Sequence, residues 1–100
     1  MMMNKANAIA KLKLYADAIK AMGATSLYLY GSTTRDEAKA ASDLDLFVDY
    51  DEQGRFNAFD LVGIKLLLEK ELAIPVDLTT RDGLHPMLRR DIEQVATRVF

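Results

Sequence analysis

Thr25-Ser26-Leu27-Tyr28-Leu29-Tyr30-Gly31-Ser32, followed after ten residues by Asp43-Leu44-Asp45-Leu46-Phe47-Val48, is the stretch that decides the fold. Residues 25–30 are rich in β-formers and end at a glycine, which predicts a strand. From Ser42 to Tyr50 polar and apolar residues alternate through Leu46 and then turn apolar, which predicts a second strand. Side chains two apart on a strand point the same way, so Asp43 and Asp45 share one face while Leu44 and Leu46 enter the other. Pro75-Val76-Asp77-Leu78-Thr79 is short and apolar enough for a third strand, and it carries a further carboxylate.

Helical periodicity surrounds these strands. Between Asn4 and Met22, Ile9, Leu12, Ala16 and Ile19 form one stripe, with Lys11, Lys13, Asp17 and Lys20 on other faces. Gly23 stands where a helix C-cap is expected. Ser32 to Ala41 is polar and small, suited to a helical turn and then a loop. Asp51 to Arg55 reads as a turn around Gly54. Phe56 to Leu72 reads as a helix through Leu61, Ile64, Leu68 and Leu72, stopped by Pro75. Arg81-Asp82-Gly83 reads as a loop, and Leu84, Leu88, Ile92, Val95 and Val99 predict a last helix with Pro86 in its first turn. The order α-β-α-β-α-β-α predicts an α/β (α+β) fold, helices packed on a small sheet that can be mixed, since the sequence leaves strand directions open.

One hundred residues suit a single domain spanning 1–100. Half of them are hydrophobic, enough for a core without staples. A net charge of −2 gives no cationic footprint for a nucleic-acid backbone. The absence of cysteine excludes disulfides, thiolate metal sites and thiol catalysis. The N-terminus lacks a signal-like apolar run, and no stretch approaches the ~20 apolar residues of a membrane span, so a cytoplasmic protein is expected.

Asp43 and Asp45 repel each other unless a cation compensates. Hard oxygen ligands of this kind suit magnesium, which takes one or two carboxylates plus substrate phosphates and waters. The bland alternative is the solvent face of an edge strand, which alternation alone would equally produce. Gly31 lets backbone approach a ligand closely, and Ser32 opening a helical turn offers a hydroxyl and free N–H groups to phosphate. An ordinary N-cap serine would look the same.

The combination is more specific than its parts. Leu29-Tyr30-Gly31-Ser32-Thr33-Thr34-Arg35, Ser42-Asp43-Leu44-Asp45-Leu46-Phe47-Val48 and Pro75-Val76-Asp77-Leu78 resemble the signature of minimal nucleotidyltransferases of the DNA polymerase β-like superfamily. The resemblance runs from about Leu27 to Phe100. It implies that Asp43 and Asp45 hold the magnesium ions, two in number, on a nucleoside triphosphate. It further implies that Asp77 ligates the catalytic metal and helps deprotonate the acceptor hydroxyl, and that Gly31 and Ser32 grip the β- and γ-phosphates. Arg35 matches an arginine that contacts phosphate or braces the loop; a solvated surface arginine is the equal alternative. The family often has Ala-Arg-Gly where this chain has Thr34-Arg35-Asp36. Aspartate tolerates a left-handed backbone, but its charge beside a triphosphate weakens nucleotide binding.

Stand-alone domains of this kind are often paired with a helical HEPN-domain toxin. The resemblance therefore implies transfer of AMP from ATP to a tyrosine hydroxyl of that partner, with this chain as antitoxin. The alternatives are transfer to a small-molecule acceptor, or a non-catalytic antitoxin that neutralises by covering its partner; three retained carboxylates speak against the latter. His85, the only histidine, reads as a helix-start residue. Lys65, Lys70, Arg89 and Arg90 read as solvated helix faces, and Asp49, Asp51 and Glu52 as a solvated turn.

Overall fold

In the computed structural model, residues 4–31 and 44–100 are described. Four strands, β1 (Ala24–Tyr30), β2 (Leu44–Tyr50), β3 (Val76–Thr80) and β4 (Thr97–Arg98), form one sheet in the order β3-β2-β1-β4. β1 runs antiparallel to both β2 and β4, whereas β2 and β3 are parallel. The sheet is therefore mixed. A parallel pair needs a crossover, and the helix α3 (Ala58–Leu72) supplies it between β2 and β3. The remaining described helices are α1 (Lys5–Lys13), α2 (Ala16–Ala21) and α4 (Arg89–Val95).

Strand alternation sorts the sheet into two faces. Leu27, Leu29, Leu44, Leu46, Val48, Val76 and Leu78 form the apolar face, buried against Ala8, Leu12, Ile19, Ile64, Leu68 and Leu72 from α1, α2 and α3. At about 25 cal/mol for each Å² of apolar surface removed from water, this layer dominates the driving force for folding. Asn57 caps α3 reciprocally: its side chain accepts from Phe59 and Asp60 N–H, while Asp60 accepts from Asn57 N–H. At the other end Ala73 adopts φ 57°, closing the helix before Pro75.

Several expectations are revised. The first helix is two, broken at Leu14–Tyr15, where the Tyr15 hydroxyl turns to donate to Glu71 (3.4 Å). Arg81–Gly83 is a 3₁₀ turn rather than a loop. The last helix covers only Arg89–Val95, and Thr97–Arg98 instead pair with β1. Leu88 and Val95 are consequently exposed, while Val99 joins the core. β2 is an interior strand hydrogen-bonded on both sides, so the edge-strand reading of its carboxylates falls. Gly23, with φ 111°, does close α2. Among the described residues no helix is long and apolar enough to cross a membrane.

Candidate active site

The site begins with register. Asp45 on β2 pairs with Asp77 on β3 and with Tyr30 on β1, giving the row Asp77–Asp45–Tyr30 across the face opposite the core. Neighbouring strands lie about 4.8 Å apart, so the two carboxylates stand side by side. Asp77 is exposed and Asp45 half-buried. Among the described residues no three acidic, histidine or cysteine side chains gather as a metal cage. A pair of adjacent carboxylates is nevertheless the donor set that magnesium takes when phosphates and waters complete it.

Gly31 closes β1 with φ 81°. A Cβ there would collide with Asp45 Oδ2 and lie 3.0 Å from its Cγ, so only glycine lets the carboxylate pack this close to the chain. Tyr30 feels the same charges. Burial, then Asp45 and Asp77, push its pKa up to about 12, so its phenol stays protonated beside the carboxylates.

The next row, Thr79–Phe47–Tyr28, is aromatic. Tyr28 and Phe47 stack at 4.7 Å between centroids, and Tyr30 leans on Phe47 at 5.8 Å. Arg81 roofs them, its guanidinium carbon 4.8 Å from the Tyr28 ring and 5.0 Å from that of Phe47. Arg81 donates to both Asp49 oxygens (2.7 and 3.0 Å) and to Glu93 on α4 (2.6 Å). The Asp49 bond raises the arginine pKa above its ordinary value, against burial, which lowers it; Glu93 adds to the rise. Phe47 is thereby wholly buried on the face that carries the carboxylates.

Of the residues picked out from the sequence, Gly31, Asp45 and Asp77 are brought together. Asp43, Ser32 and Arg35 lie outside the described residues, as does Asp36. His85 is a correction: it lies outside α4, whose N-cap is Leu88, and heads the turn before it, its carbonyl accepting from Leu88 and Arg89 N–H. Asp49 is a correction: it is bidentate on Arg81 rather than a solvated turn residue. Arg89 stays at the surface, its side chain 43% exposed, and pairs at 3.4 Å with Glu93 one turn on. Arg81 and Tyr30 escaped notice, although parity held a signal. Asp77, Thr79 and Arg81 fall two apart, as do Asp45, Phe47 and Asp49.

With this geometry in view, the family model for the nucleotidyltransferase domain matches residues 12–98. The chain belongs to the nucleotidyltransferase family. Within it, this nucleotidyltransferase is a minimal member of the polymerase β-like superfamily. It is 38% identical over 72 residues to a Methanocaldococcus jannaschii protein assigned as a protein adenylyltransferase, covering 72% of this chain and 75% of the relative. A second such protein from that organism is 34% identical over 70 residues, 69% of each chain. A solved minimal nucleotidyltransferase superposes with a TM-score of 0.81 at 32% identity, covering 95% of both chains. A toxin–antitoxin structure with AMP-PNP shares the fold, with a TM-score of 0.69 at 15% identity, over 88% of this chain and 72% of that one.

Proposed function

We propose that this nucleotidyltransferase moves AMP from magnesium-bound ATP to a tyrosine hydroxyl of a partner HEPN-domain toxin in the cytoplasm, and so acts as its antitoxin. The in-register pair Asp45–Asp77, with Gly31 packed against it, carries the reading. The protein adenylyltransferase relatives and the toxin–antitoxin and AMP-PNP likenesses support the finer assignment.

In this scheme Asp43 and Asp45 hold the metal of the nucleotide, and Asp77 holds the catalytic one. Held by these carboxylates, magnesium would supply charge neutralisation for a displacement at phosphorus. The chain's own residues do the rest. Gly31 and Ser32 offer backbone N–H and hydroxyl groups to the β- and γ-phosphates, with Arg35 beside them. Asp77, exposed at the end of the row, accepts the proton of the incoming hydroxyl. The acceptor oxygen forms its bond to the α-phosphorus, the bond to the bridging oxygen breaks, and pyrophosphate leaves. An exposed Asp77 suits a hydroxyl delivered on a partner's segment, the partner's own surface providing orientation.

The test incubates the chain with labelled ATP, magnesium and its candidate toxin, and maps the label by mass spectrometry. Label on a toxin tyrosine, with release of pyrophosphate, is expected. Efficient labelling of a small-molecule acceptor and none of the toxin would overturn the antitoxin role. Neutralisation of the toxin without ATP would favour covering alone.

A further inference from the structure

The helix α3 is apolar on two sides. Ile64, Leu68 and Leu72 point into the core, while Phe59, Val62 and Leu66 are 89%, 51% and 58% exposed on the outer side. These three recur at i, i+3 and i+7, one ridge of a helix, and exposed Lys70 continues it a turn further on. A helix with apolar stripes on opposite sides is one whose second stripe expects company. We infer that this ridge is the contact surface of a homodimer, in which α3 of one copy packs antiparallel on α3 of another. This inference does not depend on the adenylylation scheme.

Three observations select a second copy as the occupant. The first is self-complementarity. Reversing Phe59–Val62–Leu66–Lys70 about its midpoint sets Val62 against Leu66 and Phe59 against Lys70, so a two-fold axis satisfies every member twice. Phenylalanine under lysine is a favourable cation–π pair, and the fold already uses one, with Lys20 Nζ 5.4 Å from the Phe100 ring centre. Antiparallel helices also oppose their dipoles.

The second is area. At typical side-chain sizes the three exposed residues leave on the order of 350 Å² of apolar surface in water, as large as the functional patches of most monomers. A standard interface buries about 800 Å² per partner, about 65% of it apolar in homodimers. The ridge supplies roughly two-thirds of that apolar share, and Ala58, Ala73 and the lysine stems extend it.

The third is position. Because α3 covers the apolar face of the sheet, its outer ridge looks away from the row Asp77–Asp45–Tyr30. An acceptor protein delivering a hydroxyl to Asp77 gains nothing by sitting on this ridge, whereas a second copy can occupy it and leave both sites open.

Sedimentation of the full chain over a range of concentrations tests the proposal, with thermal melting as a folding control. A monomer–dimer equilibrium in the micromolar range is expected, as suits an interface of modest size. Leu66→Lys should weaken it at least about tenfold, with melting unchanged in solutions dilute enough to be monomeric, since Leu66 is exposed. Register is tested separately. Phe59→Lys, set against Lys70, should weaken association more than Phe59→Glu, and adding Lys70→Glu to Phe59→Lys should restore part of the loss. The chain has no cysteine, so an oxidised mixture of Val62→Cys and Leu66→Cys chains should give mixed disulfide dimers in excess over either homodimer. A chain that stays monomeric throughout, or a dimer indifferent to Leu66→Lys, would overturn the proposal. So would a monomer that loses only toxin binding on Leu66→Lys, which would give the ridge to the toxin.

Discussion

The two faces of the sheet are made by the same strands yet obey different rules. On the apolar face Leu27, Leu29, Leu46 and Val48 need only be hydrophobic and of suitable size, and three helices bury them. On the other face each position is particular: Asp45 beside Asp77, glycine at 31, Arg81 over two rings. Substitution on the first face should trade against stability, and on the second against chemistry. The comparison teaches that one alternating strand, β2, carries both requirements at adjacent residues.

The sharpest way to break that division is at the carboxylates. Asp45→Asn and Asp77→Asn should each lower nucleotidyl transfer about a thousandfold or more while leaving thermal melting unchanged or slightly raised, because like charges are removed. A transfer assay beside a melting curve reads both; a large fall in melting temperature would show that the carboxylates also hold the fold. One residue along, Leu46→Ala should do the opposite. It should cost about 2–5 kcal/mol in denaturant unfolding, with turnover per folded molecule retained.

Gly31→Ala straddles the faces. Its backbone at φ 81° and the collision with Asp45 predict a loss of about 1–3 kcal/mol, together with reduced transfer as Asp45 is displaced. Unfolding and transfer measured on the same preparation would show both falling. If stability falls alone, Asp45 has room that the present packing does not show.

The smallest effect concerns acid. The Thr80 hydroxyl first, then the Tyr50 hydroxyl at 2.9 Å, hold the Asp82 carboxyl below its usual 3.8. A depressed folded pKa contributes stability that is complete above the unfolded value and lost as pH falls through the folded one. Tyr50→Phe should therefore flatten the loss of melting temperature between about pH 5 and about pH 2. An unchanged acid limb would assign that loss to other carboxylates.

How much of this could be read in the sequence differs between the same two faces. Alternation in Leu44–Val48 exposed the strand and its apolar side directly, and Gly23 and Pro75 marked helix ends where they fall, whereas the Asn57 cap was missed. The pairing of Asp45 with Asp77 was legible only as an order of motifs, because the register of parallel strands is set by how α3 crosses between them. The C-terminal error has a related cause. Leu84, Leu88, Ile92, Val95 and Val99 match a helical template, but that periodicity cannot register an open edge on β1 waiting for Thr97 and Arg98. Asp49 read as solvent-facing because its partner, Arg81, lies far along the chain.

That distance has a consequence for how the protein comes into being. Asp45 leaves the ribosome thirty-two residues before Asp77, the ring of Tyr28 precedes its Arg81 roof by more than fifty, and Glu93 arrives later still. A half-made chain can fold its first hairpin partner only when β2 appears, and it owns no complete carboxylate row until β3 has emerged. During synthesis the carboxylate row is assembled late, by the same chain closure that finishes the fold, so in the proposed scheme the site is complete only when the fold is.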